Sequence, residues 1–348
     1  MKKFVSLFLV FGLLLSLIGC NLKTNKQYTK HTFSYFDTIT TVVGYAADKE
    51  EFEKVYSEID ALLFKYNRLF DIYNTYDGMV NLAFLNSASK EKDNTISIDP
   101  DLTELLLFGK YAYNLTKGKT NIAMGGPLSV WHNYRENGLN DPENAVLPPI
   151  AELKKSAEHT NINDIIIDEA SSLISFSDPE LTLDVGAIAK GFVTQKIYEY
   201  LKSKNINGYI LNLGGNVKTV GTKPNGKKFS VGIENPDSDN TKSDYLEILY
   251  LENMALVTSG NYQRFYTVNG KNYHHIIDPE TLMPPEYFTS VSVICEDAGL
   301  ADALSTALFC MPLEKGRELI ESLDNTYALW VDLNGNKSYS KGFEKFKN

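Results

Sequence analysis

Cysteine is scarce in this 348-residue chain, and the motifs that use cysteine or histidine to bind zinc are missing. The three cysteines are Cys20, Cys295 and Cys310, and neither a Cys-x-x-Cys nor a His-Glu-x-x-His spacing occurs. A zinc site is therefore not supported. Cys295 follows a strand-like run and Cys310 ends an apolar helical run, which predicts two buried free thiols rather than a disulfide.

Positive charge is also in short supply. Acidic residues outnumber basic ones by 44 to 34, the formal net charge is -10, and the basic residues form no patch. This balance disfavours a nucleic acid as the partner. No repeat of solenoid period and no low-complexity segment is visible, so residues 33–348 are expected to form one large domain or two closely joined ones.

The N-terminus predicts export and lipidation. A pair of lysines precedes an apolar run over residues 4–18, which is short for a membrane span and typical of a signal peptide. The run closes on Leu17-Ile18-Gly19-Cys20, a bacterial lipobox. We therefore predict a signal peptide at 1–19, followed by a lipidated N-terminus and polar tether at 20–32. Acyl chains such as palmitate on Cys20 would anchor the protein to the cell membrane, facing outside the cytoplasm. An uncleaved signal anchor is the alternative.

The segment Asp184-Val185-Gly186-Ala187-Ile188-Ala189-Lys190-Gly191 predicts a junction between a strand and a helix. Residues 181–185 alternate and are rich in strand formers, whereas apolar residues recur at helical spacing over 187–201. A helix that starts at such a turn points free N–H groups outward, where they and Lys190 suit a phosphate. The alternative is an ordinary helix that Asp184 caps, with Lys190 in solvent.

A second polar cluster lies nearer the C-terminus. Tyr273-His274-His275-Ile276-Ile277-Asp278-Pro279 places two imidazoles before a carboxylate and a proline that cannot continue a central strand. The helix predicted over 301–308, with Asp297 as its cap, puts Asp302 and Thr306 on one face. A carboxylate and a hydroxyl are hard oxygen donors that suit Mg2+. The alternative places Asp302 at the helix edge, bonded to backbone, and Thr306 in the core.

Two glycine-containing segments lie between these clusters. Asn212-Leu213-Gly214-Gly215-Asn216 separates two strand-like runs and predicts a hairpin, and Thr258-Ser259-Gly260-Asn261-Tyr262 predicts a turn. Either segment could also let backbone approach a planar ligand closely, because glycine carries no side chain.

Taken in order, these motifs resemble those of the ApbE-type FAD:protein FMN transferases, or flavin transferases. The resemblance extends over residues 36–308. Its most specific parts are DVGAIAKG at 184–191, NLGGN at 212–216, TSGNY at 258–262, HIIDP at 275–279 and ADALST at 301–306.

The resemblance implies a Mg2+-dependent enzyme that transfers FMN from FAD to a threonine (or serine) hydroxyl of a partner protein and releases AMP. Mg2+ would be held by the Asp302 carboxylate, the Thr306 hydroxyl and the Ala187 backbone carbonyl. Asp184 and Lys190 would contact FAD, the substrate. In such phosphoryl transfer, positioning and charge neutralisation carry most of the rate, and Mg2+ and Lys190 would reverse the field of a chain with net charge -10.

His275, with Ile276 beside it, matches the histidine motif of the family and is assigned to the flavin site. With Asp278 as its neighbour, His275 is also the predicted catalytic residue. An imidazole that titrates near neutrality could serve as general base or as positioner of the substrate.

The N-terminal half supplies further matches to the family. Phe36-Asp37-Thr38 stands where the family often has Met-Gly-Thr, and Phe36 could pack on the isoalloxazine ring. Tyr73 could stack on the flavin or the adenine, although aromatic residues in such segments also belong to cores. Lys119-Thr120-Asn121 fills the place of a Phe-Asp loop that binds the nucleotide.

The order of elements predicts an α+β fold, with helices packed on largely antiparallel sheets, in the ApbE-like (T-fold-like) architecture. The sequence predicts strands at 33–45, 164–167, 173–176, 209–211, 217–220 and 291–294, helices at 50–63, 101–116 and 151–159, and a loop at 138–149.

The family implies, as acceptor, an exported flavin domain of a membrane redox complex, such as a sodium-pumping quinone reductase or an Rnf-type complex. Three alternatives remain open. The enzyme could hydrolyse FAD to FMN and AMP with water as nucleophile, or the lipoprotein could bind flavin without turnover. A purely structural lipoprotein would not need Asp184, Lys190, Asp302 and Thr306 together.

Overall fold

The structure, a computed structural model, describes residues 25–88, 95–236 and 243–347. The signal peptide and the lipidated Cys20 lie outside these residues and stay predictions. The helices are α1 Lys49–Leu69, α2 Leu82–Ser87, α3 Pro100–Leu115, α4 Gly125–Asn140, α5 Ile150–Ser156, α6 Ala189–Ser203, α7 Ala298–Phe309 and α8 Leu313–Glu321. Within the described ranges, no helix is both long and apolar enough to cross a membrane.

Fifteen strands are described. They are β1 Lys26–Tyr35, β2 Thr38–Ala46, β3 Ile96–Ser97, β4 Ile165–Asp168, β5 Leu173–Phe176, β6 Tyr209–Leu213, β7 Asn216–Val220, β8 Phe229–Glu234, β9 Tyr245–Leu251, β10 Ala255–Gly260, β11 Phe265–Val268, β12 Lys271–His274, β13 Phe288–Cys295, β14 Tyr327–Asp332 and β15 Lys337–Tyr339.

One eight-stranded sheet organises the molecule, in the order β1-β2-β6-β7-β10-β13-β14-β15. Smaller sheets are formed by β3-β5-β4, by the β8-β9 pair and by the β11-β12 pair. Each of the paired strands in the described residues runs antiparallel to its neighbours. The predicted α+β fold with largely antiparallel sheets is therefore confirmed.

The central strands of this sheet bury both faces. On β10, Val257 packs with the core that contains α7, whereas Leu256 packs with the β8-β9 pair. On β13, Val293 packs with the core that contains α7, and Ile294 packs with the β8-β9 pair. This division follows from the two-residue period of a strand, and it explains why β13 is an almost unbroken apolar run.

Helices α6 and α7 pack against each other and approach most tightly where Gly191 faces Ala298 and Asp302. A Cβ atom at Gly191 would lie 2.3 Å from the Ala298 carbonyl oxygen and 2.5 Å from the Asp302 Cβ. Only glycine fits at this crossing. The contact places Asp302 of α7 against the first turn of α6, so two motifs that are far apart in sequence meet at one point.

The prediction of a strand at 181–185 is wrong. These residues join no sheet, because their hydrogen bonds go to several separate partners. The Asp184 amide donates to the Ile122 carbonyl (2.9 Å), the Gly125 amide donates to the Thr182 carbonyl (3.1 Å), and the Leu183 amide donates to Asn86 Oδ1 (2.7 Å). The alternation in the sequence reflects the burial of residues 181, 183 and 185 in the core.

Other boundaries also differ from the sequence predictions. The strand predicted at 33–45 is two strands, β1 and β2, and β1 already begins at Lys26 within the predicted tether. Helix α6 begins at Ala189 without a side-chain cap, so Asp184 does not cap it. The loop predicted at 138–149 starts inside α4, which was not predicted. The thiols of Cys295 and Cys310 are free and buried, as predicted.

Candidate active site

A cavity of about 520 Å³ opens where the first turn of α6, one face of α7, the β1-β2 turn and the β11-β12 pair meet. This volume is within the range of small-molecule and cofactor sites. The cavity wall includes all the described residues predicted to bind flavin or metal, namely Phe36, Tyr73, Lys119, Thr120, Asn121, Asp184, Ala187, Lys190, His275, Ile276, Asp302 and Thr306.

Asp302 is the most deeply placed carboxylate of the site and is only 4% exposed. Its Oδ2 accepts a hydrogen bond from the Gly191 amide at 2.8 Å. The Asn216 side-chain nitrogen, when it faces Asp302, lies 3.2 Å from Oδ1 and 3.3 Å from Oδ2. Burial raises the pKa of Asp302 above its ordinary value, although Lys190, Gly191 and Asn216 oppose the rise.

The Ala187 carbonyl is left free by the hydrogen bond from Gly191 to Asp302. In a regular helix the Gly191 amide would donate to the carbonyl four residues earlier, that of Ala187. Here it donates to Asp302 instead, and no other backbone amide in the described residues donates to the Ala187 carbonyl. Thr306 lies one turn after Asp302 on α7 and also lines the cavity. Three oxygen donors of different kinds therefore border the same space.

The residues that precede α6 form a tight turn with a second carboxylate. Asp184 Oδ1 accepts from the Gly186 amide at 2.7 Å, and the Lys190 Nζ lies 3.4 Å from the Gly186 carbonyl oxygen. Burial raises the pKa of Asp184, whereas the amide of Gly186 and the charges of His132 and Lys190 lower it. Burial is thus the main cause of the raised pKa of both carboxylates, and the charge of Lys190 opposes it in each case.

His275 is fixed by one backbone carbonyl. Its Nδ1 lies 3.2 Å from the Arg264 carbonyl oxygen, which can only accept, so Nδ1 carries the proton and Nε2 is free to accept. Burial, together with the positive charges of Arg264 and Lys190, lowers the pKa of His275 to about 3. The prediction of an imidazole that titrates near neutrality is therefore wrong, because in the free protein the ring stays neutral well below pH 7.

Asp278 does not line the cavity, unlike the other predicted residues. It is 4% exposed and pairs with Lys119, whose Nζ lies 2.8 Å from its Oδ1. Glu280 is a second partner of Lys119, at 3.1 Å. Asp278 therefore fixes the side chain of Lys119, which lines the cavity, without lining the cavity itself.

The two residues after Lys119 use their polar atoms inside the protein. The Thr120 hydroxyl donates to the Ala303 carbonyl of α7 (2.8 Å), and the Asn121 side-chain nitrogen donates to the Thr160 carbonyl (3.0 Å). The Asn121 side-chain oxygen accepts from the Ala123 amide (2.9 Å). The segment therefore ties the cavity wall to α7, and its direct contact with a ligand stays a prediction.

The β1-β2 turn presents Phe36 to the cavity in a strained conformation. Phe36 and Asp37 have φ values of 55° and 48°, as a two-residue hairpin loop requires, although glycine and asparagine are the residues that favour them. The Phe36 amide donates to Asn67 Oδ1 (2.7 Å), and the Arg264 guanidinium donates to the Asp37 carbonyl (2.7 Å). Both bonds hold the turn in place.

Four further residues line this cavity, and the sequence motifs do not mark them as functional: His132, Arg135, Asn216 and Arg264. Asn216 stood in a quoted motif, but its contact with Asp302 depends on the distant pairing of β7 with β10. His132 and Arg135 are on α4, whose Gly-Gly-Pro start gave no helix signal. Arg264 gave no signal in the sequence that distinguishes it from other basic residues.

The fold is shared with solved structures of ApbE proteins. The ApbE protein of Thermotoga maritima superposes with a TM-score of 0.79 at 24% identity, covering 93% of this chain and 100% of that one. The flavin transferase ApbE of Vibrio cholerae gives a TM-score of 0.76 at 24% identity, covering 92% and 99%. A model described as the ApbE family matches residues 36–330, and the chain belongs to that family.

Curated relatives carry the corresponding enzyme name. The FAD:protein FMN transferase of Klebsiella pneumoniae (strain 342) is 26% identical over 288 residues, which cover 81% of this chain and 85% of the relative. That of Vibrio cholerae serotype O1 is 29% identical over 270 residues, 76% of each chain. That of Treponema pallidum (strain Nichols) is 28% identical over 251 residues, 68% of this chain and 67% of the relative.

Proposed function

We propose that this protein transfers FMN from FAD to a threonine or serine hydroxyl of a partner protein, releases AMP and requires Mg2+. The observation that carries the proposal is the meeting of Asp302, the free Ala187 carbonyl and Lys190 at one end of a cofactor-sized cavity. The acceptor hydroxyl oxygen would bond to the phosphorus of the FMN half while the pyrophosphate bond breaks, AMP would leave with the bridging oxygen, and the hydroxyl proton would be released to solvent.

The donor set supports a hard divalent cation. A buried carboxylate, a hydroxyl and a carbonyl that lacks an amide donor are oxygen ligands of the kind that Mg2+ takes. In the described residues no group of three histidine, cysteine or acidic side chains forms a candidate metal centre, so a soft-metal site gains no support. When bound, Mg2+ would neutralise charge on the pyrophosphate, and Asp302, Thr306 and Ala187 would hold it.

The remaining residues of the site would bind and orient the substrates. Lys190 would contact the pyrophosphate as a point charge, and the Gly186 turn would direct it there. His275 would use its free Nε2 to accept the hydrogen bond of the acceptor hydroxyl and so aim the oxygen at phosphorus. Because its pKa is lowered to about 3, the ring orients the hydroxyl and is a weak base in the free protein.

The acceptor and the location belong to the same proposal. The sequence before residue 25 supports a protein that is lipid-anchored at Cys20 and faces outside the cytoplasm. Such a protein would meet acceptors of the same compartment, which are exported flavin domains of membrane redox complexes of the sodium-pumping quinone reductase or Rnf type.

The test is incubation of the full-length protein with FAD and Mg2+, with and without a threonine-bearing acceptor domain. Flavin fluorescence that stays on the denatured acceptor, with an equal amount of AMP, supports transfer. AMP release that does not depend on the acceptor supports hydrolysis of FAD instead. Retention of FAD without any AMP supports a binding protein, and either of these last two results contradicts the proposal.

A further inference from the structure

Tyr73 is a large aromatic residue that lines the cavity mouth and is 62% exposed. Its backbone is fixed, because Asp71 Oδ1 accepts hydrogen bonds from the amides of Tyr73 (2.7 Å) and Asn74 (3.0 Å). The ring itself has no such restraint from its own segment. Whatever orients the ring must therefore come from another part of the chain.

His132 of α4 supplies that contact. The two ring centroids are 5.3 Å apart and the planes are tilted by 36°, within the range of attractive aromatic pairs. In the part of the chain that the structure describes, this is the one ring contact that Tyr73 makes. Most of the Tyr73 surface remains exposed beside this contact.

Arg135 fixes the imidazole from one turn further along α4. Its Nη2 lies 2.9 Å from His132 Nδ1. A guanidinium can only donate, so His132 Nδ1 accepts and Nε2 carries the ring proton. The Arg135 side chain is 20% exposed and also pairs with Glu136 at 3.3 Å. The order Arg135, His132, Tyr73 is thus a chain of contacts from a helix to the cavity mouth.

We propose that His132 and Arg135 are positioning residues that hold Tyr73 as a platform on which the isoalloxazine ring stacks. This inference rests on the proposed function, because it takes a flavin as the occupant of the mouth. A planar ring that enters there meets an aromatic face already backed by a second ring, so less side-chain freedom is lost on binding. The arrangement selects a planar flavin over a flexible ligand of equal charge.

Titration of FMN fluorescence against the full-length protein tests the inference without turnover, because FMN carries no pyrophosphate. We expect the wild type to quench FMN. His132→Ala should raise the FMN dissociation constant roughly 2- to 10-fold, the range set by one aromatic pair. Arg135→Ala should raise it in the same direction but less, and His132→Phe should restore it, because a phenyl ring still backs Tyr73.

Two substitutions on α4 are matched controls. Glu136→Gln removes the other partner of Arg135, and Tyr134→Phe removes a hydrogen bond to Glu152 on the far side of the helix. Both should bind FMN as the wild type does. In steady state, His132→Ala should raise the KM for FAD and leave kcat unchanged, which a general loss of folding would not do.

The outcomes separate this inference from the proposed function. The platform proposal would be overturned if His132→Ala bound FMN with wild-type affinity. It would also be overturned if His132→Phe bound FMN as weakly as His132→Ala does. A wild type that does not quench FMN, or variants that weaken only the binding of AMP, would do the same. If the FMN titrations gave the expected affinities but no flavin remained on an acceptor, the transferase proposal would be contradicted. The proposed role of His132 and Arg135 would still be supported.

Discussion

The backbone and the ring of His275 are both bonded to the same carbonyl, that of Arg264. The His275 amide nitrogen lies 3.1 Å from this oxygen and Nδ1 lies 3.2 Å from it. The guanidinium of Arg264 also bonds to the Asp37 carbonyl in the β1-β2 turn. One residue therefore sets the tautomer of the imidazole and fastens the turn that carries Phe36.

Replacement of His275 should show whether its ring accepts the proton of the acceptor hydroxyl or only positions that hydroxyl. We expect His275→Ala to slow single-turnover transfer by on the order of 10²-fold, because the acceptor oxygen loses its alignment. His275→Gln should keep more of the rate, because its side-chain oxygen can still accept a hydrogen bond. Because the free ring has a pKa of about 3, the transfer rate with saturating acceptor should show no step from His275 between pH 6 and pH 8. Undiminished transfer by His275→Gln would show that the ring takes no proton.

Removal of the Asp302 carboxylate should abolish the response to Mg2+. Burial raises the pKa of this group, so its charged form destabilises the folded protein at neutral pH, and a cation should offset that cost. We expect Mg2+ to raise the Tm of the wild type but not of Asp302→Ala, which should also lack turnover. Cys295→Ser, which alters a buried thiol elsewhere, should lower the Tm yet keep the Mg2+ response. Turnover by Asp302→Ala with Mg2+ would show that the ligand is misassigned.

A methyl group at Gly191 should damage the site through the helix crossing. The added Cβ would meet the Ala298 carbonyl oxygen at 2.3 Å, which forces α6 and α7 apart. We expect Gly191→Ala to cost about 1–3 kcal/mol of unfolding free energy, measured by urea titration, and to lose Mg2+-dependent turnover. Gly316→Ala is the control, since its nearest neighbour is a flexible leucine end at 3.1 Å. Full activity in Gly191→Ala would mean that this crossing does not position Asp302.

The buried lysine of β7 should make stability depend on alkaline pH. Lys218 is 1% exposed, lies over the Tyr198 ring at 3.9 Å and donates to the Asn253 carbonyl at 3.1 Å. Burial lowers its pKa from the ordinary value of 10.5 to about 8. Between these values the unfolded chain binds more protons, so this group makes stability rise as pH increases. The gap in unfolding free energy between wild type and Lys218→Met should change across that window, and a constant gap would contradict the lowered pKa.

The lipid anchor can be tested by one substitution. Cys20→Ala should move the protein from the membrane fraction to the soluble or secreted fraction, or leave an uncleaved precursor. Purified Cys20→Ala should transfer FMN in detergent-free buffer as well as the wild type does, since Cys20 lies outside the cavity residues. An unchanged membrane fraction with a processed N-terminus would argue against lipidation at this residue.

The sequence predicted best what local chemistry determines. Asp302 and Thr306 share a helix face because they are four residues apart, and Asp297 caps that helix through the Leu300 amide at 2.7 Å, as predicted. The strand-like runs predicted at 209–211 and 217–220, on either side of a glycine pair, correctly indicated the β6-β7 hairpin. These features depend on neighbours within a few positions.

What the sequence could not give depends on distant contacts. Asp278 was assigned to catalysis from its motif. In the structure it pairs with Lys119, 159 residues away in sequence, and does not line the cavity. The lowered pKa of His275 results from burial together with the charges of Arg264 and Lys190. The spacing of residues in the sequence does not predict that combination. Residues 181–185 alternate like a strand, yet their amides and carbonyls find partners outside any sheet.

The amide of Gly191 affects two acceptors, one on α7 and one in the turn that precedes α6. By bonding to the α7 carboxylate it orients one oxygen, and by leaving the Ala187 carbonyl it exposes another. A change in the first turn of α6 thus alters both oxygens at once. In homologous chains the two helices should therefore diverge in concert at this crossing, even where the rest of their surfaces varies freely.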